Sequence, residues 1–535
     1  MKSVKRIISM LLCVSAVLCI TACKHHEPDP HDEIIYYRVS TDPETLDPQI
    51  AEDSVSKMIV MNIFEGLVRI NENEEVIPGA AHSWEISQGG TVYTFHIRSD
   101  ARWNNGDTVI ADDFVFGLQR TVQPQTGSSG ASSLFSVRNA KKINSGEMDA
   151  SALGVYAEDE LTLRIELESF DPDFLSILAT APAMPCKRGF FEQTRGQYGR
   201  EPDKLLTNGV FYIRSSGWEH GKYINLRRNY EYSGEKEPIP AGVNIEIAPA
   251  PENVCDTILS GSLDCYALPA GELKQATKNG LNLTSFGDTV WGIAFNTENE
   301  VLSHPEIRLA LLSSLNRSII LSSLPEGCKK QKEIIPDNAE YGGQNYRSAV
   351  GSVMSISYSD KASDDLKKAM KKLDIEALPK LTILCTDDEP TQKIVNNLIE
   401  TWNSLTGSYI NKDPVSRSEL NDRILSGEYR VVLAPLTSNG DSPVDTLELF
   451  YTGSKYNIAR LSDKQYDRLI DNIRVNRSSL DSVVLAEKYL ADNGVFYPLY
   501  IESRFYASAP NVTGIIFHPY GAETDFILAK KISRE

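Results

Sequence analysis

Two carboxylates facing each other across a cleft are the working pair of a glycosidase, and Asp441 with Asp445 could supply them. Abundance argues against that reading: the chain carries 73 Asp and Glu residues, so any chosen pair is expected on a solvated or ion-paired face. No G-x-S-x-G, H-E-x-x-H or G-x-x-x-x-G-K-[ST] pattern occurs, which leaves serine-hydrolase, zincin and P-loop chemistry without its local signature. The run from Gly217 to Lys222, GWEHGK, is one residue short of a phosphate loop and reads as a turn. Cys186, Cys255, Cys265, Cys328 and Cys385 are odd in number and lack metal spacing such as C-x-x-C. A Cys255–Cys265 bridge and unpaired buried thiols both stay open. His25, His26 and His31 fall in the polar stretch 24–33, KHHEPDPHDE, where a solvated tether is expected rather than a metal site. No metal or other cofactor is implied, and non-covalent binding is the chemistry that remains.

The elements that would position a binding site are clearest from Asn62 to Val122. Val92, Thr94 and His96 alternate with Tyr93, Phe95 and Ile97, the period of a strand with one buried face. Asn104-Asn105-Gly106-Asp107 tolerates positive φ and turns the chain back before Thr108-Val109-Ile110. Asp112 or Asp113 then offers a side-chain oxygen to the open amides of a helix whose Val115, Leu118 and Val122 recur at helical spacing. Elsewhere, Ile34–Val39 reads as a strand before two Asp-Pro turns, and Asn208-Gly209 as a turn entering a strand. Residues 253–268 read as helix, glycine stop and strand, and 291–311 as strand then helix. Strand and helix alternate throughout, the signature of α/β lobes with largely parallel sheets. A chain of 535 residues is too long for one core, so two or three domains are expected. Charged residues at 24% and hydrophobic ones at 41% are enough for packed cores and exclude global disorder.

Taken in order, Glu65-Gly66-Leu67, Pro78 with Ala81 and Ser83-Trp84-Glu85, Tyr93-Thr94-Phe95-His96-Ile97-Arg98 and Asp113-Phe114-Val115-Phe116 resemble the solute-binding proteins of ABC importers, in the large family that includes the oligopeptide- and dipeptide-binding proteins. Leu46-Asp47-Pro48, Trp291 to Thr297 and Phe496-Tyr497-Pro498-Leu499-Tyr500 extend the resemblance over nearly the whole mature chain. Arg120 to Thr126 and the segment from Asn139 to Leu163 look like the oligopeptide-binding subset. The resemblance implies an α/β, periplasmic-binding-protein-like (type II) fold of two lobes and a hinge, with an additional inserted α/β domain. Lobe one would comprise residues 34–65, 182–288 and 500–535, the inserted domain 66–181 and lobe two 289–499. It also implies an oligopeptide held between the lobes, no catalysis, a permease and ATPase subunits as partners, and a monomer. A peptide of varied sequence can be held by what all peptides share: main-chain amides pair with strand edges, charged ends meet opposite charges, and side chains enter wet pockets.

In the family, an aspartate that anchors the peptide's amino terminus lies in the segment that here runs from Val431 to Pro443. Counting back from Pro443, that position holds Asn439, the family's nearby tryptophan is Leu436 and its carboxylate-reading arginine is Leu433. Truncating one side of a buried charge pair costs about 2–5 kcal/mol, so these departures matter. Three readings stay open. Asp441 takes the amine if the loop is shifted by two residues, with Arg430 as the carboxylate partner; Asn439 hydrogen-bonds a different solute, such as a nickel complex, haem or a sugar; or both are turn residues. An envelope hydrolase using cleft carboxylates is the alternative from another class.

The chain begins as an export signal: Lys2, Lys5 and Arg6 precede the apolar run Ile7 to Ile20, too short for a stable span. Ile20-Thr21-Ala22-Cys23 resembles a bacterial lipoprotein cleavage site, at which Cys23 becomes the lipidated first residue. Acyl chains contribute about 0.8 kcal/mol per buried CH₂, so a lipid anchor would hold the protein at a membrane, facing the periplasm or exterior, with 23–33 as tether. Removing residues 1–22 moves the formal charge from −19 to −22, and such an acidic surface repels nucleic-acid phosphates.

Overall fold

The computed structural model describes residues 34–234, 239–322, 324–407, 409–438, 440, 442–475, 479–519 and 524–532. The export signal, Cys23 and the tether lie outside these residues, as do Asn439 and Asp441.

The chain starts with β1 (Ile34–Val39) and helix α1 (Ser54–Ile63), capped by Asp53, whose carboxylate accepts the Ser56 amide at 2.8 Å. A hairpin of β2 (Ala81–Ser87) and β3 (Val92–Ile97) buries Tyr93, Phe95 and Ile97 on one face. The Trp103–Asp107 turn follows as its residues predict, with Gly106 at φ +88° and its amide donating to the Trp103 carbonyl at 2.8 Å. In α2 (Ala111–Val122), Phe114, Val115, Leu118 and Val122 are buried, but the helix starts differently from the expectation. Ile110 occupies the cap. Asp113, at the third helical position, reaches back to accept the Ile110 amide at 3.1 Å and the Trp103 indole N–H at 2.9 Å. Burial raises the Asp113 pKa above the usual carboxylate range in spite of these two donors.

Next come β4 (Val155–Ala157), β5 (Thr162–Glu166), β6 (Phe211–Glu219), β7 (Tyr223–Arg228) and β8 (Gly242–Ile247). They complete two four-stranded sheets, ordered β1-β8-β7-β6 and β2-β3-β5-β4. Asn208-Gly209 is not a turn. Asn208 brackets the main chain of Glu65, donating to its carbonyl at 2.8 Å and accepting its amide at 3.1 Å. A Cβ on Gly209 would stand 2.5 Å from the Ile63 carbonyl carbon, so glycine is required for close approach rather than for positive φ.

After α3 (Val254–Leu259) the chain lays down β9 (Cys265–Leu268), the long β10 (Asn282–Phe295), α4 (Pro305–Ser313) and β11 (Cys328–Lys330). The alternation β12 (Thr382–Thr386), α5 (Glu389–Thr406), β13 (Asn411–Val415), α6 (Arg417–Ser426), β14 (Val431–Thr437) and α7 (Pro443–Glu448) follows, and β15 (Phe496–Ser508) returns along β10. The third sheet runs β9-β15-β10-β14-β12-β13, with β11 also on β15. The expectation of largely parallel sheets is corrected here. Among the described residues only β1 with β8, and β12 with β13 and β14, pair in parallel; the other strand pairs, from β2–β3 to β10–β15, are antiparallel. Strand–helix alternation gives the order of elements, not their direction.

Two hydrophobic cores result. One draws on residues 35–281 and 506–529, the other on residues 290–501. Residues 66–181 add a sheet to the first core rather than a core of their own. Arg120 on α2 fastens that sheet down, pairing with Asp47 at 2.6 Å, donating to Gln49 at 2.5 Å and lying 3.9 Å from the Phe191 ring centre. Cys255 and Cys265 are buried free thiols, as are Cys186 and Cys385, while Cys328 is a half-buried one. No helix among the described residues is long and apolar enough to cross a membrane.

The turn between β6 and β7 is tied to the loop after β1 by an imidazole. His220 Nδ1 lies 2.9 Å from Asp42 and Nε2 3.4 Å from Glu201, while the Trp218 indole donates to Asp42 at 2.9 Å. Burial alone would lower the His220 pKa, but the two carboxylates together hold it above the usual imidazole value. A raised folded-state pKa adds stability below the unfolded value of about 6.5, and that contribution fades as pH rises through the folded one. His220→Gln should therefore narrow the difference in melting temperature between pH 6 and pH 8, read by calorimetry on both proteins.

Candidate functional site

The two cores are joined by β10 and β15, which pair from Asn282 with Ser508 to Ala294 with Phe496. Phe286 and Tyr506 pack in the first core, Val290 and Ile501 in the second. Between them the ladder skips a residue: Gly287 pairs with Ser503 and Thr289 with Glu502, so Asp288 is bulged out of register. Asp288 is fully buried and takes a two-nitrogen contact from Arg504, whose Nε lies 2.7 Å from Oδ2. Arg504 also donates to the Pro519 carbonyl and, at 3.1 Å, to the Tyr506 hydroxyl, and Thr289 donates to the other Asp288 oxygen at 3.1 Å.

On the second core's side of this crossing lie the carboxyl ends of β12, β13 and β14, because Thr437, the last residue of β14, pairs with Thr289. That is where open sheets present ligand sites. Helices start there as well: Asp388 accepts the Thr391 amide at 2.9 Å and Ser416 the Glu419 amide at 3.2 Å. Residues opposite one another on adjacent strands share a sheet face, which groups Thr437, Thr289 and Glu502, then Pro435, Trp291 and Tyr500 two positions on. On this face the Thr289 and Thr437 hydroxyls are 3.2 Å apart, and Trp291 stacks on Tyr500 at 5.7 Å. The Trp291 indole donates to Glu502 at 2.7 Å. Arg417, the first residue of α6, places its guanidinium 4.7 Å from the Trp291 ring centre and 3.5 Å from Glu502. Burial, with Glu502 and Asp388 nearby, pushes the Cys328 thiol up to about 12, so it is protonated and inert.

β14 pairs with β10 along its whole length but with β12 only at Val431 and Val432. From Leu433 to Thr437 the edge facing β12 has no strand partner among the described residues. Pro435, which has no amide to give a ladder, stands in this open half. The two cores also touch away from the crossing strands: a Cβ on Gly342, in the Glu340–Asn345 hairpin, would meet the Pro172 Cβ at 3.9 Å.

The residues singled out in the sequence are placed as follows. Arg430 precedes β14 and donates to the Lys380 carbonyl at 3.1 Å. At about 3.3 Å per residue it stands about 23 Å from Thr437, at the opposite end of the strand from the carboxyl ends of the sheet. Leu436 and Leu433 are buried in the second core, so neither is presented to a ligand. Asp445 packs against the loop, where a Cβ on Gly440 would fall 2.1 Å from its Oδ2. Sequence reasoning missed Arg417, Trp291, Glu502 and the Asp288–Arg504 pair. A signal was present for three of them: Asp288, Glu502 and Arg504 are charges set inside apolar strand runs, where an unpaired charge is not tolerated.

Two cores linked by a bulged strand pair, beside the carboxyl ends of a sheet, define a two-lobe binding protein of type II. The chain belongs to the bacterial extracellular solute-binding proteins, family 5, whose middle region matches residues 75–457. It is 24% identical over 540 residues to the dipeptide-binding protein DppE of Bacillus subtilis (strain 168), an alignment covering 97% of this chain and 98% of that one. The oligopeptide-binding protein OppA of the same strain is 25% identical over 494 residues, covering 89% of each chain. The solved substrate-binding domain of an oligopeptide ABC transporter from Bacillus anthracis str. Ames superposes with a TM-score of 0.73 at 24% identity, over 94% of this chain and 99% of that one.

Proposed function

We propose that this protein is the extracytoplasmic binding component of an ABC importer, that it takes oligopeptides between its lobes without altering them, and that it hands them to a permease driven by separate ATPase subunits. The lobes in this reading are residues 34–65, 182–288 and 500–535 with the inserted segment 66–181, against 289–499. Closure turns on the strand pair β10–β15. Lipid on Cys23 tethers a monomer to the envelope membrane. The observation that carries the reading is the last stretch of β14 at the carboxyl ends of the sheet, where Pro435 is half-buried, Thr437 is exposed and the edge facing β12 has no strand partner among the described residues, so that a ligand main chain can meet it. The peptide-binding names of relatives aligned over nearly the full chain support the same cargo.

The test is small-angle scattering and native mass spectrometry of the purified protein. A heterogeneous set of co-purified peptides and compaction on adding a peptide mixture are expected. A single non-peptide mass, or no compaction with any peptide, overturns the peptide assignment.

A further inference from the structure

We infer that Arg417 receives a carboxylate of the bound ligand and that Trp291 and Glu502 hold it in place for that task; this rests on the peptide reading above. Arg417 is the first residue of α6, beside the carboxyl ends of β12 and β14, on the sheet face that also carries Thr289, Thr437 and Glu502. Its side chain is 51% exposed, yet it is not a loose surface arginine. The guanidinium lies 4.7 Å from the ring centre of Trp291, which is itself 3% exposed and backed by Tyr500. Glu502 fixes both partners, accepting the Trp291 indole N–H at 2.7 Å and drawing Arg417 to 3.5 Å.

A guanidinium has five N–H donors in a rigid plane. Glu502 approaches one nitrogen at ion-pair distance, and with half of the side chain exposed the other donors stay accessible to a ligand. Stacking on the indole removes much of the rotamer freedom that an arginine loses on gripping a ligand, so less of the interaction energy is spent on ordering. A planar, pre-ordered fork fits a carboxylate through two parallel hydrogen bonds, each charge-assisted. With Arg430 at the far end of β14, Leu433 buried in the core and Arg504 committed to Asp288, Arg417 is the arginine stacked on this face with donors to spare.

The carboxylate can come from the peptide's C-terminus or from an acidic side chain, and calorimetric titration of the full chain separates them. Three probes are used: tetra-alanine as the free acid, tetra-alanine amide, and an amidated tetrapeptide with one glutamate. The wild-type protein should bind the free acid about ten-fold or more tighter than the amide. Arg417→Ala should weaken the acid to the level of the amide while leaving the amide unchanged, and Arg417→Lys should fall between. Recovery of affinity by the glutamate probe assigns Arg417 to side-chain carboxylates, and no recovery assigns it to the C-terminus. The acid should also change tryptophan emission, the amide less so, and the difference should vanish in Trp291→Phe. A merely structural Arg417 would leave the acid-to-amide ratio intact on substitution. That result, or equal binding of all three probes by wild type, overturns the assignment. A wild-type protein that binds none of the probes overturns the peptide reading and this inference with it. If Arg417→Ala fails to fold, Arg417→Lys and the acid-to-amide ratio of wild type decide.

Discussion

Arg504→Ala is expected to lower the unfolding free energy by about 3–5 kcal/mol, the cost of leaving a buried charge without its partner. Asp288 is fully buried in the bulge between the two cores, and Arg504 is its cationic neighbour there. Removing the arginine leaves that carboxylate with the Thr289 hydroxyl as its remaining side-chain donor among the described residues. The arginine's ties to Pro519 and Tyr506 are lost as well. Taking away both charges in the double variant Asp288→Ala, Arg504→Met should recover much of the loss, since an apolar filling of a buried ion-pair site is often neutral. Urea unfolding followed by circular dichroism reads all three proteins. A single variant costing less than about 1 kcal/mol would show that the pair behaves like an exposed salt bridge.

The same pair marks where sequence reasoning stops. The Tyr93-Phe95-Ile97 alternation, the Gly106 turn and the apolar stripe of α2 are local patterns, and each is found where its residues predict. Asp113 caps from inside the helix because an acid at the third position can accept the cap amide, and a run of two aspartates does not say which one reaches. Pairing partners are harder. Gly287 meets Ser503 across more than two hundred residues, and nothing in either segment names the other. Arg430 and Thr437 are separated by only a few residues of sequence. An extended strand converts that small separation into the length of a sheet. Arg417 shows the opposite case, since it is far in sequence from Trp291 and Glu502 and lies against both. Residues that meet through the tertiary fold leave no periodic trace, whereas those that meet through one element do.

Cysteines at 172 and 342 should turn ligand exchange into a redox-controlled process. Pro172 belongs with the first core, next to the buried Phe174, and Gly342 with the second, next to Tyr341. A Cβ at 342 would lie 3.9 Å from that of residue 172, inside the range of about 3.5–4.5 Å found for disulfides. Gly342 is at φ +60°, so a side chain there costs about 1–2 kcal/mol, which a cross-link closing a loop this long outweighs. Oxidation of Pro172→Cys, Gly342→Cys joins the lobes at a point other than β10–β15 and removes the swing. Peptide added after oxidation should associate at least about a hundred-fold more slowly than with the reduced form, and peptide trapped beforehand should leave as slowly. Dithiothreitol should restore both rates, which separates blocked motion from damage to the fold. Stopped-flow tryptophan fluorescence measures each step. Equal rates in the two redox states, with the cross-link confirmed by mass, would mean that ligand enters without the lobes parting, and the strand pair at Asp288 would then be a rigid joint rather than a pivot.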